Sequence, residues 1–62
     1  MNNIYIVYGS LKDPDDTDRT ITAPTNLGAV AGALREGQSP LYSIIATDFE
    51  TAIKYFEEIR YV

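Results

Sequence analysis

Ile4-Tyr5-Ile6-Val7-Tyr8, closed by Gly9-Ser10, is the stretch on which the fold turns. Its residues are β-branched or aromatic throughout, which suits a pleated strand, and the Gly-Ser pair punctuates its end. Alternation puts Ile4, Ile6 and Tyr8 on one face and Tyr5 and Val7 on the other. A strand apolar on both faces belongs in the middle of a sheet.

Working outward, Lys12-Asp13-Pro14-Asp15-Asp16-Thr17-Asp18 has the chemistry of a turn: proline fixes one dihedral and Asp side chains bond nearby amides. Arg19 to Ala23 then forms a short edge strand, with Ile21 inward and Thr20 and Thr22 outward. A helix opens at Pro24-Thr25-Asn26, with Thr25 or Asn26 as N-cap. Leu27, Val30, Ala31 and Leu34 follow the i, i+3, i+4, i+7 spacing of a core-facing stripe, and Gly37 is placed to end the helix as its C′ residue. Leu41 to Ala46 is the third strand. Thr47-Asp48-Phe49-Glu50 reads as a capping box with Thr47 at N-cap and Glu50 at N3, and the helix behind it carries Phe49, Ala52, Ile53, Phe56 and Ile59 on one stripe.

The order β-β-α-β-α predicts one small α+β domain over residues 1–62. Its sheet is three-stranded and mainly antiparallel, in the order 2-1-3 with the most apolar strand central. Right-handed crossover and the short last connection place two helices on one face. Apolar residues on both sides of the first and third strands then leave a contiguous greasy patch on the uncovered face. Patches of that kind mark association sites.

Composition narrows the function. The 62 residues hold no Cys, no His and no Trp, and five Lys+Arg stand against nine Asp+Glu, a net charge of −4. Imidazole and thiolate chemistry, zinc fingers and disulfides are excluded. Net acidity argues against direct nucleic-acid binding. A chain near 60 residues buries only about 60% of its unfolded surface, so it gains from external support. With no disulfide and no soft metal ligand, self-association or another protein supplies that support. The apolar N-terminus lacks a basic flank or a cleavage site, and the uncharged run Gln38 to Thr47 is too short for a bilayer, which takes about 20 residues. A soluble, cytoplasmic chain with no membrane association is expected.

Candidate site residues fall into three groups. Asp13, Asp15, Asp16 and Asp18 form an acidic cluster, but EF-hand spacing fails: counted from Asp13, the sixth and twelfth positions hold Asp18 and Pro24. The cluster therefore reads as a solvated turn or as a docking face for a basic partner site, and neither a metal nor a cofactor is expected. Gly28 and Gly32 lie inside the first helix, where each costs roughly 1 kcal/mol against alanine. Their spacing permits close approach of another backbone, either the second helix or a partner. Tyr55 and Tyr61 lie at the border of or off the last helix's stripe, where an amphipathic ring suits an interface.

Catalysis lacks a base for Ser10, Ser39 or Ser43. The carboxylates Asp48 and Glu50 suit helix capping and the macrodipole. These features point to a non-enzymatic interaction module that inhibits or regulates a larger protein and self-associates. The composition suits an accessory protein of a phage or mobile element that blocks a host defence or host enzyme. The alternative is a small oligomer binding a nucleotide or other small molecule between subunits, near Thr25, Asn26 and Gly28, through helix N-terminal amides.

Overall fold

The structure, a computed structural model, describes residues 2–11 and 19–60. Five elements follow in the anticipated order: β1 (Asn3–Gly9), β2 (Thr20–Thr22), α1 (Leu27–Arg35), β3 (Ser39–Ala46) and α2 (Phe49–Arg60). The sheet order is β2-β1-β3, with β1 antiparallel to both neighbours. The small α+β domain with its most apolar strand central and two helices is thus the fold observed.

β3 begins two residues earlier than its apolar run, at Ser39-Pro40. The ladder shows why. Val7 pairs with Tyr42 but Tyr8 pairs with Pro40, so Leu41 is the extra residue of a bulge. Proline, lacking an N–H, is accommodated in a strand at just such an irregular edge position. The bulge brings Leu41 over Gly9, where an added Cβ would meet Leu41 Cδ1 at 2.7 Å.

Cross-strand partners share a face. Tyr5, Val7, Ile44 and Ala46 make one face, and Ala52 and Phe56 of α2 pack on it, with Ile21, Ala23 and Tyr42 at the margin. Val7 is fully buried at its centre, a position that stabilises by about 1.5–3 kcal/mol. The Tyr5 and Phe49 rings meet with centroids 5.6 Å apart, tilted by 56°.

The helix ends are built by local hydrogen bonds. Asn26 caps α1, its Oδ1 accepting from the Ala29 N–H at 3.3 Å. At the other end the Gln38 N–H reaches the Ala33 carbonyl and the Gly37 N–H the Leu34 carbonyl, both at 3.1 Å, with Gly37 at φ 77°. That is a Schellman closure, and the left-handed C′ residue it requires is the glycine anticipated there. At α2 the cap is Asp48, one residue later than the expected Thr47: its Oδ1 accepts from the Thr51 N–H at 2.8 Å, and its carbonyl takes the first helical bond from Ala52. A carboxylate is a strong acceptor at a helix's positive end, so it takes the position from the hydroxyl.

Two side-chain expectations are corrected. The stripe of α1 does not face the core: Leu27 is 74% and Leu34 54% exposed, while Ala33 is buried and Ala29 and Val30 are half-buried. At 100° per residue the inward direction is turned about a quarter circle toward the alanines. α1 lies alongside β2, and small residues let it approach so short a strand. Thr22 is not outward to solvent but buried, its hydroxyl donating to the Ala23 carbonyl at 3.3 Å.

Candidate interaction surface

The second face of the sheet carries Ile4, Ile6 and Tyr8 from β1, Thr20 and Thr22 from β2, and Ser43 and Ile45 from β3, as the pairs Ile4–Ile45, Ile6–Ser43, Ile6–Thr22 and Tyr8–Thr20 require. The expectation of a contiguous bare patch over this whole face is corrected: only one end of it is open. At one end Tyr8 and Thr22 are buried, outside the main core cluster, as are Ala33 and Gln38. At the other end Ile4 is 55% and Ile45 61% exposed.

Ile4 and Ile45 are direct cross-strand partners, so their side chains stand side by side and present one patch. Half-buried Ile6 and exposed Ser43 continue it. Beside Ile4 a shallow depression is lined by Asn2, Asn3, Tyr5, Ala23, Pro24 and Thr25. The Asn3 Nδ2 donates to the Thr47 carbonyl at 3.1 Å and ties the start of β1 to the end of β3. No residue of the patch or of the depression carries a charge. Such a surface can exclude water from an apolar partner and satisfy a few polar groups at its margin. It offers no group that could hold or release a proton near neutral pH.

The singled-out residues that the structure describes lie on different elements. Gly28 and Gly32 lie on α1. A Cβ at Gly32 would meet nothing within 4 Å, and one at Gly28 only Asn26 Oδ1 at 3.8 Å. The close approach their spacing permits is therefore not made by the second helix. Tyr55 is exposed on α2. Asp13, Asp15, Asp16, Asp18 and Tyr61 lie outside the described residues. Among the described residues no group of three or more Asp, Glu, His or Cys is placed to hold a metal ion, and no helix is long and apolar enough to cross a membrane.

At the N-terminus of α1, where a nucleotide phosphate would bind in the alternative reading, several amides already have partners within the chain, the Asn26 N–H bonding the Ala23 carbonyl among them. The Leu27 N–H bonds the Thr25 carbonyl and the Ala29 N–H bonds the Asn26 side chain. The Asp48 carboxyl is held below its ordinary value by hydrogen bonds from the Thr51 side chain and backbone N–H. Its work is helix capping.

Ile4 and Ile45 were not singled out as site residues by the sequence. The signal was present: in the order 2-1-3, an apolar residue at each of two successive β3 positions forces one of them onto the face away from the helix that covers the other. Comparison with known proteins returned no match to any family model, curated protein or solved structure.

Proposed function

We propose that this chain is a non-enzymatic protein-interaction module that inhibits or regulates a larger protein by seating its open sheet face on it. The observation that carries the reading is the Ile4–Ile45 pair: two large aliphatic side chains, adjacent across strands, more than half exposed and with no charged residue on the patch around them. Exposed apolar patches on small domains mark association surfaces. The chain's net charge of −4 favours a partner whose contact surface is basic around an apolar centre, because complementary charge steers encounter and fixes orientation. In the setting that the composition suggests, a phage or mobile-element accessory protein, the partner is a host defence factor or host enzyme.

The test compares the unaltered chain with the double variant Ile4→Ser, Ile45→Ser as baits in host lysate. Circular dichroism first establishes that both are folded. A stoichiometric protein retained by the unaltered chain and lost by the double variant is the expected result. An identical set of retained proteins on both baits would overturn the reading.

A further inference from the structure

The two edges of this sheet are not alike. On one side β2 is three residues long, too short to template another strand. On the other, β3 runs for eight residues, and among the described residues no strand pairs with its outer edge. Natural edge strands are commonly guarded by lysine, by inward-pointing charges or by brevity. β3 has none of these: from Gln38 to Thr47 there is no charged residue, and the two other guards an edge can carry, a proline and a bulge, stand only at its start, at Pro40 and Leu41, leaving Tyr42 to Ala46 unguarded.

α2 packs against this same strand, and its rotation is fixed by its contacts. Ala52 and Phe56 point into the core, and the Phe49 ring, itself exposed, meets Tyr5 of β1, so the Phe49 flank of the helix is the one turned toward β1. At 100° per residue, Tyr55 and Ile59 fall on the opposite flank. Both are exposed. That flank is the one turned away from the Phe49–Tyr5 contact with β1, while Glu50, Glu57 and Glu58, all exposed, fall on the side of the helix away from Ala52 and Phe56.

We propose that a second copy of this chain pairs with the outer edge of β3, antiparallel about a twofold axis, and that Tyr55 and Ile59 of the two copies close over the seam. The result is a continuous six-stranded sheet in the order β2-β1-β3-β3-β1-β2. A second copy fits this edge for three reasons. Antiparallel pairing of a strand with itself is self-complementary, as a twofold interface requires. The strand brings no like charges together despite the chain's net charge of −4. The same symmetry that joins the strands brings the apolar flanks of the two α2 helices together above them. The inference rests on the reading of the chain as an association module and assigns one of its surfaces. It leaves the Ile4–Ile45 face outside the seam.

Sedimentation equilibrium of the full chain is the direct test. A species of twice 6.9 kDa at micromolar concentration is expected, and Tyr55→Glu with Ile59→Glu should yield a monomer over the same range with an unchanged far-ultraviolet spectrum. Should that variant fail to fold, amide hydrogen exchange on the unaltered chain serves instead: β3 amides should be protected more strongly as concentration rises, and β2 amides should not. The Ile4→Ser, Ile45→Ser chain should remain a dimer even where it loses its partner, which separates failure of this inference from failure of the functional reading. A monomer at every concentration, a dimer insensitive to the α2 substitutions, or a dimer abolished by Ile4→Ser, Ile45→Ser would each overturn the proposal. So would a foreign protein occupying the β3 edge of a monomeric chain.

Discussion

The two helices each begin at a side-chain cap, Asn26 for α1 and Asp48 for α2, but differ in what they bury. α2 places Ala52 and Phe56 in the main core, against Tyr5, Val7, Ile44 and Ala46. α1 contributes no residue to that cluster and buries only Ala33. Yet both carry an apolar stripe at helical spacing. The difference lies in what each helix meets. α2 follows β3 directly and lies across the wide, apolar β1–β3 face, which accepts a phenylalanine. α1 lies alongside a three-residue strand, where alanines permit approach and leucines are left outside. A stripe shows that a helix can bury one side; its partner decides which side is buried.

The largest effect should come from exchanging equal chemistry across this contrast. Phe56→Ala removes a buried ring and should cost about 3–5 kcal/mol. A domain of this size has about 3–9 kcal/mol in total at roughly 0.05–0.15 kcal/mol per residue, so this variant should lose a large share of its stability, read as a collapse of the denaturation midpoint by circular dichroism. Leu34→Ala, on the exposed side of α1, should move the denaturation midpoint by an amount equivalent to no more than about 0.5 kcal/mol. If Leu34→Ala proved as damaging as Phe56→Ala, the assignment of α1 as peripheral would fail.

A smaller effect, of opposite sign, belongs to α1 alone. Gly32 lies within the helix with open space where a Cβ would stand, so Gly32→Ala should raise stability by about 1 kcal/mol. Thermal unfolding at fixed concentration reads the change. Because the site is open within the chain, the dimer seam on β3 should be unaffected. A Gly32→Ala chain that gains stability but loses its captured partner would move the functional surface from the sheet face to α1.

The order of elements, the central place of β1 and the Gly37 stop could all be derived from the sequence because each rests on local chemistry. Ile4 to Tyr8 can satisfy two apolar faces only in mid-sheet, and a left-handed C′ position calls for glycine. The facing of α1 and the burial of Thr22 could not be derived in the same way. Both depend on how closely a helix can approach a strand whose length is set by pairing with Tyr8, Val7 and Ile6. The site was half legible. An uncovered apolar face followed from the strand pattern, but its division into a buried end at Tyr8 and an open end at Ile4 and Ile45 is a tertiary outcome. The cap of α2 differs from the expectation for a local reason: Thr47 and Asp48 are both competent caps, and the carboxylate, the stronger acceptor at a helix's positive end, takes the position.

That selection gives the last contrast between the helices. Asn26 caps α1 and cannot titrate, whereas Asp48 caps α2 and can. The Asp48 carboxyl is held below its ordinary value when folded, first by the Thr51 hydroxyl and then by the Thr51 backbone N–H. The unfolded chain therefore takes up this proton at a higher pH than the folded one, and the cap's contribution is complete above the ordinary carboxylate range. It is lost as pH falls through the lowered folded value. Asp48→Asn keeps an acceptor of comparable capping strength, so its effect at neutral pH should be the smallest of the set. Its consequence is confined to acid: the variant should lack that component of the acid-induced loss of stability. In the unaltered chain the Thr51 amide resonance should titrate with Asp48, while the Ala29 amide, bonded to Asn26, should not. Because Asp48 is exposed, added salt should shrink the difference. Equal acid sensitivity at both amides would show that the two helices are capped alike, and the contrast between them would then rest on packing alone.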